Sequence, residues 1–377
     1  MGKRAAEEKR ILPLGCKGLT YYREKFPLSL ASALFLLRQL MGKNLSFFIG
    51  GLMAGLFLCT GGFAWYLSKG DASGGSQVRT LKLGHALDPS HPVHVAMVNM
   101  KERLEAISNG AMTLEIYPSG VLGTETECLE QLQNGSLALT KASTAPLEGF
   151  VEELKVFGLP YVFRDEAHFW KVLEGEVGKE LLEKPRTQKL LGLCYYDSGS
   201  RNFYTSSKPV RTPDDLKGMK IRVQNSPVAI RMIEVLGGSA TPIAFGELYT
   251  ALAQGTVDGA ENNVPSFVTS RHFEVAKYFS LNAHTRVPDM VLVSTIVWDR
   301  LSPTEQAWLK QAADESSIFQ RELWAEATAK DLAQVQTQGV QVIQPDVDAF
   351  IKKAAPIYSD YDGTPVQALL ERIRAVK

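Results

Sequence analysis

In the stretch MKIRVQNSP, residues 219–227, apolar and polar positions alternate. This places Met219, Ile221 and Val223 on one face of a short strand and Lys220, Arg222 and Gln224 on the other. Ser226 and Pro227 then read as an N-cap and first helical position, so strand passes directly into helix. Upstream, RTLKLGHAL alternates as a strand, and Val93, Met97, Met100, Leu104 and Ile107 recur at helical spacing until the SNG stop at 108–110. MTLEIYPSG is the next predicted strand, and TETECLEQLQNG a helix stopped by Gly135. LKVFGLPYVF and LLGLCYY read as further apolar strands around a helix over 165–183. Downstream, one helix runs from Pro227 to the LGG stop, a second from Phe245 to Gln254, and DGAENN looks like a turn. Residues between Ser302 and Gly339 read as one or two long helices. A single helix there is about 50 Å long, more than one compact domain needs, and fits a brace across two. The β-α-β-α order with short turns predicts an α/β fold with helices on the faces of the sheets.

Composition adds size and compartment. The 377 residues, 45% hydrophobic and 22% charged, suit a globular chain of two or three domains. There are 41 basic and 41 acidic side chains, but residues 1–44 hold nine of the former and three of the latter. The remainder is therefore mildly acidic, which argues against nucleic acid as a partner. Residues 45–67 carry no charge and follow Lys43, the pattern of a signal peptide or of an uncleaved anchor in the inner membrane. Leu58 before Cys59 argues against a lipoprotein. Residues 1–44 read as a basic leader, untranslated or disordered, in which a start at Met41 would make MGKN a conventional short n-region, and 68–77 as a Gly/Ser-rich linker. The chain beyond the linker is expected in the periplasm. Of the four cysteines, Cys128 and Cys194 could pair in an oxidising compartment, but two buried thiols are the simpler expectation.

No nucleophile elbow, Walker loop, HExxH or paired CxxC occurs, so no enzyme activity, cofactor or metal is expected. His85, His91 and His94 are close in sequence but have no acidic or cysteine partner, which favours solvated or capping roles. Asp214 and Asp215 read as charges offsetting a helix dipole. Arg201, among small residues in DSGSRNFYT, and Arg222, near the carboxyl end of its strand, are candidate carboxylate ligands, because a guanidinium offers a planar fork of donors. For either alone, an ordinary surface ion pair is the competing reading. Asn262 and Asn263 suit a turn and equally suit donation to a ligand oxygen.

YPSGVLGTETECLEQLQNGSL, GLPYVF, SGSRNFYTSSKPVRTPDDLKGMKIRVQNSP, GGSATPIAFGELYTALAQGTVDGAENN and HFEVAKYFSLNAHTRVPDMVLVS occur in that order between residues 117 and 294, within a resemblance that covers about residues 78–365. Together they resemble the extracytoplasmic solute-binding subunits of TRAP (tripartite ATP-independent periplasmic) transporters. The resemblance implies a two-lobed periplasmic binding protein fold with hinge strands and a long helix spanning both lobes. Lobe I would comprise 78–198 with 288–326, and lobe II 199–287 with 327–377. It implies that Arg222 forms the principal bidentate pair with a ligand carboxylate, that Arg201 occupies the second arginine position of the motif, and that Asn262 helps fix the same carboxylate. Glu125 would accept hydrogen bonds from ligand hydroxyls, and Phe245 would form an apolar wall. Thr126 departs from the arginine of many relatives. Asn263, with VPSF, resembles the branch that binds hexuronates such as glucuronate and galacturonate. The implied partners are a small organic acid and the membrane subunits of the transporter. A C4-dicarboxylate or other carboxylic acid as ligand, a membrane-tethered sensory domain and a periplasmic enzyme are the alternatives.

Overall fold

A computed structural model describes residues 78–377; the leader, the apolar segment 45–67, the linker, Cys16 and Cys59 lie outside the described residues. In chain order the elements begin with β1 (Arg79–Gly84), α1 (Pro92–Ile107), β2 (Met112–Tyr117), α2 (Glu125–Asn134), β3 (Leu139–Ser143), α3 (Glu166–Glu174), α4 (Glu176–Glu183) and β4 (Leu190–Tyr196). There follow β5 (Arg201–Thr205), β6 (Lys220–Val223), α5 (Pro227–Leu236), β7 (Ser239–Pro242), α6 (Leu248–Ala253), β8 (Gly259–Asn262), α7 (Val264–Thr269) and β9 (Tyr278–Thr285). The chain returns as β10 (Asp289–Ser294) and ends with α8 (Pro303–Thr337), β11 (Gln341–Ile343), α9 (Val347–Ala354) and α10 (Pro365–Ala375).

Local chemistry sets the helix ends. His91 caps α1, its Nδ1 accepting from the Val93 N–H at 3.2 Å, and Pro92 fills the first turn where no donor is missed. Thr124 and Glu127 form a reciprocal capping box on α2, which Gly135 closes in a left-handed conformation. Ser226 caps α5 through the Ala229 N–H, and Ser302 with Glu305 caps α8.

The strands form two mixed sheets, one ordered β2-β1-β3-β10-β4 and the other β11-β9-β5-β8-β6-β7. The fold is α/β and two-lobed. The chain crosses between the lobes at β4 to β5, at β9 to β10, and along α8, which packs on α1 and β4 in the first lobe and on α7 in the second. Spanning about 50 Å, α8 also grips the first crossing. The Gln320 side chain is buried and exchanges hydrogen bonds with the backbone of Asp197, and Ser316 Oγ lies 2.7 Å from the Tyr196 hydroxyl. Gly199 comes next at a positive φ of 60°, and a Cβ there would lie 2.9 Å from the Trp324 indole nitrogen, so the crossing requires glycine.

Three sequence expectations are corrected. LKVFGLPYVF is no strand; Lys155–Gly158 is a helical turn, with Val156, Phe157, Leu159 and Val162 all buried. A continuous apolar run records burial on every side but not the backbone's period. The predicted helix over 165–183 breaks at Gly175, whose extended backbone ends α3 and starts α4. DGAENN is mainly strand β8, between β5 and β6, with Asn263 as N-cap of α7. Its Gly259 is there because a Cβ would stand 2.5 Å from the Tyr204 carbonyl oxygen of the neighbouring strand. Among the described residues no helix is long and apolar enough to cross a membrane.

Candidate functional site: the cleft between the lobes

A cleft of about 620 Å³ separates the lobes. Its first-lobe wall includes Gly123 and the start of α2, with Glu125 and Thr126, and its second-lobe wall includes Arg222, Gln224 and Phe245. A smaller cavity lined by Lys141, Arg201, Asn262, Asn263 and Asp289 adjoins it, and Glu125, Gln224 and Phe245 border both. All six residues singled out from the sequence therefore converge on one region.

Arg222 is the centre of that region. Strand alternation turns Met219, Ile221 and Val223 into the core and Lys220 to solvent, while Arg222, on Lys220's side of the strand, is only 2% exposed. Its Nε donates to the Ile243 carbonyl at 2.9 Å, which anchors the guanidinium, and its Cζ lies 5.9 Å from the centre of the Phe245 ring. One terminal nitrogen is buried without a hydrogen-bond partner, and no carboxylate among the described residues pairs with it. Burial, with a smaller push from Arg201, moves the pKa of this guanidinium below its ordinary value, against the opposing pull of Tyr204, Glu261 and Glu125.

Arg201 is buried as well but is committed. Its Nε and one terminal nitrogen donate to the two carboxylate oxygens of Glu261, and its other terminal nitrogen donates to Asn262 Oδ1 at 3.0 Å. Burial would lower its pKa, but the charge and hydrogen bonds of Glu261 outweigh burial and move it upward. Glu261 responds in kind: burial opposes ionisation, yet Arg201 and His284 bring its pKa down to about 2. Neither arginine is the surface ion pair that was the competing expectation.

Asn262 Oδ1 also accepts from the Asn263 N–H at 2.9 Å. Both partners can only donate, so the oxygen must face them and the Nδ2 amide is left for another acceptor. Asn263 Oδ1 accepts from the Ser266 N–H at 2.8 Å as the cap of α7.

On the opposite wall, Glu125 Oε1 accepts from Lys141 Nζ at 3.0 Å and from the Ser143 N–H at 3.2 Å. Lys141 reaches Asp289 Oδ2 as well, at 3.1 Å. Lys141, Asp289 and Glu261 were not singled out from the sequence. A lysine inside the apolar strand LALTKAS was the available signal.

The histidines are structural. His91 Nδ1 accepts at the cap, so its Nε2–H is the donor to Ser266 Oγ at 3.2 Å, a bond between the lobes. His85 Nδ1 accepts from the Leu87 N–H and its Nε2 donates to His94 Nδ1 at 2.9 Å. Asp215 caps the N–H groups of Arg211 and Thr212. Cys128 and Cys194 are buried free thiols. Among the described residues no cluster of three or more His, Cys, Asp or Glu could hold a metal ion.

Comparison with known proteins bears on the fold and the family. Residues 83–364 match the family described as bacterial extracellular solute-binding protein, family 7. A TRAP periplasmic solute-binding protein from Bradyrhizobium sp. BTAi1, solved with galacturonate, is 38% identical, with a TM-score of 0.77 over 78% of this chain and 99% of that one. Another from Pseudomonas putida F1, solved with D-glucuronate, is 38% identical, with a TM-score of 0.76 over 79% and 97%. A solute-binding protein of Chromohalobacter salexigens is 33% identical over 72% of this chain and 82% of its own. The cleft thus lies in a fold built for solute capture, and the chain belongs to family 7 of the bacterial extracellular solute-binding proteins, the binding subunits of TRAP transporters.

Proposed function

We propose that this protein captures a sugar acid, specifically a hexuronate such as glucuronate or galacturonate, and delivers it to the membrane subunits of its TRAP transporter. The observation that carries the reading is the buried Arg222 guanidinium, which lines the cleft, is anchored by Ile243 and has a terminal nitrogen without a partner. A desolvated cation held by its Nε is a preformed receptor for one carboxylate. In this reading the Asn262 amide shares that carboxylate, Phe245 covers an apolar face of the ligand, and Glu125 on the other lobe accepts from ligand hydroxyls. Arg201 acts by holding Asn262 in place, and Asn263 by starting α7 beside it. The relatives solved with galacturonate and glucuronate support the choice of hexuronate.

A ligand gripped from both walls favours the closed arrangement, because it shifts the hinge only through contacts made differently in open and closed states. We place the lobe limits at 78–198 with 288–326 and 199–287 with 327–377. Residues 45–67 would direct the chain to the periplasm, as a signal peptide or as an anchor in the inner membrane. Mass spectrometry of the exported protein distinguishes the two by the presence or loss of that segment. A thermal-shift screen of hexuronates, aldonates and C4-dicarboxylates tests the ligand, since binding to the folded form raises the melting temperature. The largest shift is expected with a hexuronate. A shift only with C4-dicarboxylates would replace this ligand assignment, and none with any carboxylate would refute it.

A further inference from the structure

We propose that the Lys141–Glu125–Asp289 cluster makes the first-lobe wall select monocarboxylic sugar acids over their dicarboxylic counterparts, with Lys141 positioning Glu125. This rests on the reading of the cleft as a sugar-acid site.

The inference comes from the charges around the ligand space. Three cations line the two adjoining cavities: Arg222, Arg201 and Lys141. Arg201 is paired with Glu261, and Lys141 is shared by Glu125 and Asp289, which leaves Arg222 alone without a carboxylate partner. The anions lining the same space are Glu125, Glu127, Glu247 and Asp289. His91 adds no positive charge, because burial, then Lys141, holds its pKa well below the ordinary value. The space therefore accommodates one ligand charge at Arg222.

Lys141 fixes how the opposite wall meets the rest of the ligand. Its side chain, 3% exposed on β3, bonds Glu125 Oε1, and the Ser143 N–H bonds the same oxygen. Glu125 Oε2 is then the oxygen left for a ligand, and it can accept from a hydroxyl. Asp289, on the neighbouring strand, takes the other share of the Lys141 charge, so two carboxylates already balance the ammonium and it offers no net attraction to a second ligand carboxylate. Burial would lower the Lys141 pKa, but Asp289 and Glu125 outweigh it and move it up to about 12, so the cation persists. A dicarboxylate with one end on Arg222 would bring its other end against Glu125, a like-charge contact with a large cost in a desolvated interface.

Calorimetric titration of the whole protein with galacturonate, galactonate and galactarate tests this. The last two share an open chain and differ at one end, hydroxymethyl against carboxylate. Wild type should bind galactarate about 100-fold more weakly than the better of the two monocarboxylates. Glu125→Gln should narrow that ratio about tenfold. Lys141→Met should weaken galacturonate binding about tenfold, with most of that effect gone in the Glu125→Gln background. A purely structural role for Lys141 would instead give the same loss in both backgrounds. If Lys141→Met fails to fold, Asp289→Asn replaces it and should raise galactarate affinity about tenfold, by freeing Lys141 charge. Galactarate bound as tightly as the monocarboxylates by wild type, or a ratio unmoved in Glu125→Gln, would overturn the inference while leaving sugar-acid binding intact. Failure of wild type to bind any of the three would overturn both.

Discussion

Arg201 and Arg222 stand on β5 and β6, separated by the single strand β8, yet only Arg201 has a carboxylate partner. Glu261 of β8 takes up Arg201, while Arg222 reaches only the Ile243 carbonyl and the face of Phe245. The contrast assigns different work to two buried guanidinium groups. The paired one is part of the scaffold beneath the site, and the unpaired one is the receptor.

If Arg201 is scaffold, removing the charge of Glu261 should damage the fold before it damages recognition. Glu261→Gln leaves a buried guanidinium unpaired, and a loss of about 3–5 kcal/mol in unfolding free energy is expected by urea titration. The same variant should change acid stability. The pKa of Glu261 is depressed from 4.5 to about 2, so its contribution is fully present above about pH 4.5 and is lost as pH falls through 2. Glu261→Gln should remove that part of the acid dependence. An unchanged acid limb would mean that the Arg201 pair contributes nothing to folding.

Glu148 predicts the opposite slope. Its Oε2 accepts from Ser226 Oγ at 2.6 Å and from the Val228 N–H at 3.2 Å, both at the start of α5, while Oε1 is buried without a partner. Burial raises its pKa from 4.5 to about 8, against the pull of those two bonds. A raised carboxyl favours the folded state fully below about pH 4.5, and that advantage is lost as pH rises through 8. Glu148→Gln, which mimics the protonated group, should flatten the decline in stability between pH 5 and pH 9. Parallel slopes for the two proteins in urea titrations would contradict this.

Gly259 tests the packing beneath Asn262. In Gly259→Ala the new methyl would meet the Tyr204 carbonyl oxygen at 2.5 Å and the Thr205 Cγ2 at 2.7 Å. Backbone oxygen cannot rotate aside as a side chain can, so a cost of about 1–3 kcal/mol is expected. Because β8 carries Glu261 and Asn262, weaker ligand binding should accompany the lower melting temperature. Unchanged stability would show that β8 moves more freely than its position between β5 and β6 implies.

What the sequence revealed was chiefly local. The helix starts at Ser226 and Ser302 were legible because each serine bonds an N–H three residues away and is followed by proline. Arg222 was legible by its place at the end of an alternating strand that runs into a capped helix. Gly259 was visible as a glycine, but its reason is the close approach of Tyr204, so DGAENN read as a turn. LKVFGLPYVF failed because a segment buried on all sides has no polar face to give the period. The pairing of charges was invisible: Arg201 and Glu261 are 60 residues apart, and Lys141 and Asp289 are 148 apart. Sequence could name Arg201, Arg222 and Glu125 but not Lys141, Asp289 or Glu261. It could not say which were already neutralised, and that distinction decides which one meets the ligand.

The Arg222 clamp is tested most directly by calorimetric titration of wild type, Arg222→Lys and Arg222→Ala with glucuronate and galacturonate. A micromolar complex corresponds to about −8 kcal/mol, and a desolvated ligand carboxylate left unpaired costs about 3–5 kcal/mol of it. Binding by Arg222→Ala should therefore fall below detection, with Arg222→Lys nearly as impaired because a single ammonium cannot reproduce the planar fork. Wild-type affinity in either variant, with the fold intact by circular dichroism, would contradict the account.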